Sequence, residues 1–252
     1  MRYQTINKFR KTHRFLGIFI GIQFLFWTIS GLYFSWTNLD EIHGDQYRKA
    51  PKQYVFNSLI PIDSLENTDL SIQTLELKTI GQDPFYWIND RDLYDATNGN
   101  KLELISEKMA LNVIRNTILD QYVVEKIERI DSVSEQDEYR GRPLPAYKAW
   151  LSGEGNPIAY VSARDGSFQR IRHRRWRWFD FLWMTHTMDY EGRDNFNTLT
   201  LRVFSFLGLI TVMSGFALAS NQDHRSNVLQ SLDLEITHGH LSFLSCLYSL
   251  IK

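Results

Sequence analysis

The chain has 252 residues, of which 43% are hydrophobic and 23% charged, so it is long enough for one large domain or two small ones. A formal net charge of −1 gives no reason to expect nucleic acid as a partner. The single cysteine, Cys246, excludes an intramolecular disulfide, and the negative mean hydropathy excludes a chain that lies mostly in a membrane.

The first predicted element is an uncharged apolar run, residues 15–36, which follows a basic N-terminus, residues 1–14. About 20 helical residues cross the ~30 Å core of a bilayer, so this run predicts a transmembrane helix. The N-terminus carries five cations and no acid: Arg2, Lys8, Arg10, Lys11 and Arg14. This charge pattern predicts a cytoplasmic N-terminus and an exported central domain. We expect a retained anchor, because no A-x-A-like cleavage site follows the run.

Residues 38–170 predict a central domain that contains two copies of one unit. The second copy has a predicted helix at residues 106–114, with Ser106 as its N-cap, and the first copy has a short one at residues 62–67. Three strands follow each helix, at 72–80, 84–88 and 92–104 in the first copy and at 122–130, 145–151 and 157–170 in the second.

Matching turns strengthen the case for a duplication. The third strands of both copies end in matching turns, with Asn98-Gly99 in the first copy and Asp165-Gly166 in the second. Both dipeptides supply the positive φ of a tight hairpin turn. We therefore expect an α+β fold, in which a duplicated unit of one helix and a three-stranded antiparallel sheet lies between two transmembrane α-helices.

The last third of the chain predicts a membrane-surface segment and a second span. Residues 171–198 are rich in aromatic and basic side chains, which is typical of an amphipathic segment in the interface, so we expect the arginines near its start among outer-leaflet headgroups. Residues 199–220 hold a second apolar run, which predicts a second transmembrane helix and a C-terminus on the cytoplasmic side. The tail, residues 221–252, has no assigned role.

Gly17 and Gly21 lie one helical turn apart in the first span. Such a pair lets two helix backbones approach closely. Packing of the two spans on one another is the simpler use, and a homo-oligomer formed through Gly17 and Gly21 is the alternative.

Several motifs occur in a fixed order between residue 10 and about residue 220. They are RKTHRFLG at residues 10–17, SGL at residues 30–32, the two units ending in Asn98-Gly99 and Asp165-Gly166, LWMTHT at residues 182–187, and a second Ser-Gly at residues 214–215. In this order the chain resembles the PepSY-domain proteins with PepSY-associated transmembrane helices, a family of the bacterial inner (cytoplasmic) membrane. The resemblance implies a periplasmic central domain and a link to iron acquisition. Larger family members, with about four spans, look like reductases of siderophore-bound iron that hold b-type haem.

Two of the seven histidines, His13 and His186, match motif positions of the family. Because neutral imidazole is a common axial ligand of haem iron, the resemblance implies these two as ligands of haem b. A helical span separates them by roughly 30 Å, so they cannot bind one iron in the same chain. The second ligand is then His43 or a histidine of another subunit. The alternative is that His13 is an interfacial cation and His186 a hydrogen-bonded interfacial residue.

The sequence contains no nucleophile–base motif, P-loop, dinucleotide fingerprint or HExxH, so no catalytic residue is predicted. No metal site is predicted either, and the residues weighed for one are interpreted as tail or loop residues: His238, His240, Asp189, Glu191 and Asp194. Our leading hypothesis is a binding or accessory role in iron or siderophore handling, with haem b as the candidate cofactor. The candidate partners are a periplasmic protein, a peptide and a ferric chelate. The alternatives are a haem-b-dependent ferric-chelate reductase subunit acting as an oligomer, and a periplasmic module that binds a peptide or inhibits a protease.

Overall fold

The computed structural model describes residues 3–65 and 71–220. The chain forms two compact units, and the boundary between them falls inside the first helix. One unit contains the described residues up to Ile29 and those from Phe196 onward, and the other is Ser30–Asn195.

Helices α1 (Tyr3–Trp36) and α5 (Leu199–Ser220) are the two predicted apolar helices. Both are long and apolar enough to cross a membrane, and most of each apolar stretch is exposed rather than buried in protein. Apolar side chains in the core of a water-soluble fold would instead be buried. The chain therefore carries two candidate membrane-spanning helices.

The first unit is a helix pair. His13 near the start of α1 contacts Ser214 near the end of α5, so the two helices run antiparallel. They approach closely at Gly208, where an added Cβ would lie 3.2 Å from the Phe24 ring. At Gly17 and Gly21 no atom of the described residues lies within 4 Å of an added Cβ. The prediction that these two glycines pack the spans together is therefore wrong.

The second unit, Ser30–Asn195, contains the sheets. Its helices are α2 (Leu39–His43), α3 (Glu107–Thr117) and α4 (Arg174–Thr187). The strands are β1 (Leu75–Ile80), β2 (Asp83–Ile88), β3 (Asp92–Asp95), β4 (Lys101–Leu102), β5 (Val124–Ile130), β6 (Ala146–Leu151), β7 (Ile158–Ser162) and β8 (Phe168–Arg172). They form two antiparallel sheets, in the orders β1-β2-β3-β4 and β5-β6-β7-β8.

Each sheet has four strands, which corrects the predicted three. The segments predicted as single third strands, 92–104 and 157–170, are hairpins that fold back at Gly99 and Gly166. Both glycines have the positive φ that was expected, +79° and +66°. A tight turn needs a partner strand on either side, so the turn itself implied the fourth strand. The α+β class is confirmed.

The two sheets also share backbone hydrogen bonds at equivalent places. The amide of Ala96 donates to the carbonyl of Pro84 at 3.1 Å, and that of Ala163 donates to Pro145 at 2.9 Å. In each copy this bond ties the residue before the turn to the start of the second strand. The likeness of the two copies thus extends from the turns to the sheets.

The helical parts of the copies differ. Ser106 caps α3 as predicted, since its hydroxyl accepts from the amide of Met109 at 3.3 Å. The first copy has only a 3-10 turn, Ile62–Ser64, where a helix over 62–67 was expected. Residues 66–67 lie outside the described part of the chain.

One hydrophobic core joins both sheets. Helix α3 packs on β1 of the first sheet and on β5, β7 and β8 of the second. Its buried residues Ala110, Val113 and Ile114 belong to the same core as Ile80. At the rim of this core, Lys78 of β1 pairs with Asp165 of the β7–β8 turn at 2.6 Å. The second turn is therefore a contact between the two copies.

Replacing Gly166 with alanine is expected to lower the free energy of unfolding by about 2–5 kcal/mol. Gly166 has φ +66°, and an added Cβ would lie 2.8 Å from three carbons of Ile80. Gly141 has φ +67° but nothing within 4 Å of its Cβ position, so Gly141→Ala should cost only the backbone strain, about 1–2 kcal/mol. Denaturant unfolding of the detergent-solubilised protein measures both, and equal losses would contradict the contact.

Candidate functional site

His186 lies in the last turn of α4 and contacts the part of α1 that belongs to the same unit. Its Nδ1 lies 2.7 Å from the hydroxyl of Ser30, which is fully buried. The His186 ring also meets the edge of the Phe34 ring, with centroids 5.7 Å apart. Phe34 is in turn packed on Phe179 and Trp183 of α4. The imidazole is thus hydrogen-bonded to Ser30 and lies inside an aromatic cluster.

This environment determines the protonation state of His186. Burial lowers the pKa of His186 below its ordinary value, because the charged imidazolium loses hydration. The ring is therefore neutral at pH 7, and neutral imidazole is the form that ligates metal ions and haem iron.

His13 makes the corresponding contact in the other unit. Its Nδ1 lies 2.6 Å from the hydroxyl of Ser214. The hydroxyl hydrogen of Ser214 is donated to the carbonyl of Thr211 at 2.8 Å. A hydroxyl has a single hydrogen, so while Ser214 donates to Thr211 it can accept from His13.

The two pairs follow one rule. In each, Nδ1 of a histidine lies next to the serine of a Ser-Gly dipeptide in an apolar helix, Ser30 in α1 and Ser214 in α5. A histidine that ligates a metal characteristically donates its other ring N–H to a hydrogen-bond partner, which sets the ring orientation. His13 and His186 each have a serine hydroxyl at Nδ1 that can be this partner. Each pair can present one imidazole to a cofactor.

His43 is placed apart from these contacts. It lies exposed at the C-terminal end of α2. Within residues 3–65 and 71–220, no hydrogen bond or ring contact joins His43 to His186. Its predicted role as a second ligand on the same side as His186 stays a prediction.

Comparisons with protein-family models, curated proteins and solved structures found no match to this chain. The resemblance of the motifs to PepSY proteins therefore stays a prediction. What supports a function is the geometry of the two histidine–serine pairs.

The arginines near the start of residues 171–198 were expected among lipid headgroups, but some of them are buried or paired within the unit. Strand β8 runs to Arg172, past the domain boundary predicted at 170, and Arg172 is 8% exposed and stacks 3.8 Å over the Trp176 ring. Arg177 binds the carboxylate of Glu138, and Arg175 pairs with Glu41. These arginines are paired within the unit because long-range folding brings acids from residues 41 and 138 to them.

The residues weighed for a metal site have other roles or lie outside the described residues. No group of three or more His, Cys, Asp or Glu side chains that could hold a metal ion occurs in the described ranges. Asp189 is buried and accepts from the amides of Gly192 and Asn195, at 3.3 and 2.8 Å, so it organises the loop after α4. His238 and His240 lie outside the described part of the chain.

His173 is a buried histidine that the sequence analysis did not single out. Its Nε2 donates to the carbonyls of Glu41 and Ile42, at 3.0 and 3.2 Å, and so ties the end of α2 to the start of α4. The dense basic context HRR concealed it, because nothing local shows that residue 173 is enclosed while Arg174 and Arg175 are exposed.

Stability is expected to fall as the pH drops below about 6.5, the ordinary pKa of histidine. Burial lowers the pKa of His173 in the folded protein, so below this pH the unfolded chain takes up a proton that the folded protein does not. Unfolding at pH 7.5 and 5.5 measures the loss, which is at most about 1.4 kcal/mol per pH unit for each such group. His173→Gln should reduce the dependence, and exposed His43→Gln should not. An unchanged pH profile in His173→Gln would contradict this assignment.

Proposed function

We propose that the chain is an integral protein of the bacterial inner membrane that takes part in iron or siderophore handling and binds haem b. In this proposal residues 38–170 form a periplasmic, PepSY-like domain, and both termini are cytoplasmic. The observation that carries it is the pair of contacts that hold His186 and His13 through Nδ1 to Ser30 and Ser214. A purely interfacial role for these histidines does not require a serine at the same ring nitrogen in both.

The donor set fits haem. Ser30 and Ser214 hold the rings by Nδ1, the nitrogen that a haem-ligating histidine characteristically uses for its second-shell hydrogen bond. The aromatic side chains next to His186, among them Phe34, Phe179 and Trp183, match the apolar surroundings of a porphyrin. When bound, haem would supply one-electron redox chemistry at its iron. The role of this chain's own residues is to orient a neutral imidazole.

A second copy of the chain supplies the remaining ligand in this proposal. Gly17 and Gly21 favour such an assembly, because within residues 3–65 and 71–220 nothing lies within 4 Å of an added Cβ at either glycine. This stripe of α1 leaves room for another helix. Small residues one turn apart are typical of close helix pairing in membranes. His43 remains the alternative ligand within one chain.

Absorption spectroscopy of the full chain, purified in detergent from iron-replete cells, tests the proposal. A Soret band that sharpens and shifts on adding dithionite is the expected result. A spectrum without a Soret band would contradict haem binding and would favour the alternative function, a module that binds a peptide or a protease. Reporter fusions near Asn98 test the topology separately, and a cytosolic reporter there would contradict the periplasmic domain.

A further inference from the structure

A group of arginines surrounds the outer face of the second sheet, away from the core with α3. Tyr160 of β7 lies opposite Arg170 of β8, so both side chains are on this face of the sheet. The arginine cluster, as we call it, consists of Arg140 in the β5–β6 connection, Arg170 and Arg172 of β8, Arg177 of α4 and Arg193 in the loop after α4.

Two carboxylates neutralise only part of this charge. Asp180 of α4 is 6% exposed and pairs with Arg140 at 2.8 Å and with Arg193. Glu138 accepts from Arg177, and its main-chain carbonyl accepts from Arg172 at 3.2 Å. The neighbouring acids add little: the Asp194 side chain is 76% exposed and 4.0 Å from Arg140, and Asp137 offers Arg140 its main-chain carbonyl. Burial lowers the pKa of Arg172 only to about 10, so it stays charged at pH 7.

The cluster also contains buried donors whose hydrogen-bonding capacity is not used. In the described part of the chain, the Nε atoms of Arg140, Arg170 and Arg193 are buried without a hydrogen-bond partner. The hydroxyl of Tyr160, whose side chain is fully buried and stacks on Tyr139 at 4.7 Å, also lacks one. An unmade hydrogen bond of a buried group is costly, so four such groups on one face indicate an absent acceptor.

The chemistry of these donors selects the ligand. Guanidinium groups are forked donors that match the oxygens of phosphate, and the five of this cluster contact Asp180 or Glu138 next to the sheet face that carries Tyr160. The cluster is also close to an apolar helix. Trp176 and Asp180 of α4 face the cluster, while Phe179 and Trp183 on the neighbouring face of α4 pack on Phe34 of α1. The cluster is therefore within about one helix diameter, ~10 Å, of the end of that helix.

We infer that the arginine cluster is a binding site for a phosphate-type oxyanion, in which Arg140, Arg193, Arg170 and Tyr160 donate to the ligand's oxygens. Two sources supply this chemistry, the phosphate of a lipid headgroup and a free phosphate. The site is separate from the histidine–serine pairs, so it does not depend on haem.

Two probes test the site on the full chain, the first in detergent micelles and the second in nanodiscs. One is inorganic phosphate, measured by calorimetry, and the other is phosphatidylglycerol in phosphatidylcholine nanodiscs, measured as lipid retained in native mass spectrometry. Arg140→Gln and Arg193→Gln should weaken binding by about tenfold or more, because each loses charged hydrogen bonds. Arg174→Gln is the matched control, since Arg174 lies on α4, is 65% exposed and pairs only with exposed Glu154 in the described residues. It should bind within about twofold of the parent protein.

The two probes distinguish the two sources of the oxyanion. Binding of phosphate identifies a free phosphate as the ligand, and retention of phosphatidylglycerol alone identifies a lipid headgroup. Saturable binding of neither probe, or equal affinities of Arg140→Gln, Arg193→Gln and Arg174→Gln, overturns the inference. Should the arginine variants fail to fold, Tyr160→Phe removes one hydroxyl and no charge. A several-fold loss of affinity in Tyr160→Phe supports the site, and an unchanged affinity overturns it.

Discussion

Asp180→Ala is expected to lower the free energy of unfolding by about 3–5 kcal/mol, since it leaves buried guanidinium groups without their carboxylate. The Asp180 side chain is 6% exposed and pairs with both Arg140 and Arg193. These arginines come from separate loops, so the carboxylate also fixes the positions of two connections. Denaturant unfolding followed by circular dichroism measures the loss.

Glu154→Ala is the matched control for Asp180→Ala. Glu154 also pairs with an arginine, Arg174, but its side chain is 91% exposed. An exposed ion pair contributes about 0–1 kcal/mol, because water screens both charges. A comparable loss of unfolding free energy in both variants would show that the effect of Asp180→Ala does not arise from the burial of its ion pairs.

The second large effect is expected at the histidine–serine pairs. His186→Ala and His13→Ala should each remove part of the haem absorbance of the purified protein, and the double variant should remove all of it. The reason is that each histidine belongs to a different unit and presents its own imidazole. This prediction rests on the proposed haem, and a double variant with the parent spectrum would refute it.

The serines give a finer test of the same pairs. Ser30→Ala should shift the Soret band or the midpoint potential without removing haem, because the ring loses its orienting partner and keeps its ligand nitrogen. Ser35→Ala is the control, since Ser35 lies on the same helix and its hydroxyl donates to the carbonyl of Leu32 rather than to a histidine. A change of equal size in both variants would show that the effect arises from α1 in general.

His43→Ala separates the two sources of the second ligand. Loss of haem in this variant would indicate ligation within one chain, by exposed His43. Retained haem together with loss in Gly17→Ile/Gly21→Ile would indicate a second copy, because no group in the described part of this chain lies within 4 Å of either glycine's Cβ position. Size-exclusion chromatography in detergent reports the oligomeric state of the same samples.

Those parts of the fold that depend on neighbouring residues could be predicted from the sequence. The apolar runs in α1 and α5 predicted two helices, since a bilayer-length helix needs no distant partner for its backbone. Asn98-Gly99 and Asp165-Gly166 predicted turns, because only a few residue types adopt positive φ easily. Ser106 predicted the start of α3 through a bond to a residue three positions away.

The sequence predicted three strands in each sheet instead of four, because the last two strands of each sheet are short. Residues 92–104 and 157–170 each contain two short strands on either side of a turn, and the short strand β4, Lys101–Leu102, has too few residues to show a pattern of its own. Pairing with β3 makes it a strand. The helix expected at 62–67 is only a 3-10 turn at Ile62–Ser64, because a short segment has little helical preference without packing.

By itself the sequence determined the two apolar helices, the α+β class and the paired turns, all of which are readable within a few neighbouring residues. Only the tertiary structure decided which serine each histidine meets, across 201 and 156 positions of the chain, and which arginines are buried. The physical reason is that hydrogen bonding and burial depend on which distant groups the packed sheets and helices bring together. A motif specifies a side chain and its neighbours along the chain, whereas the partner that sets its protonation and orientation comes from elsewhere in the fold.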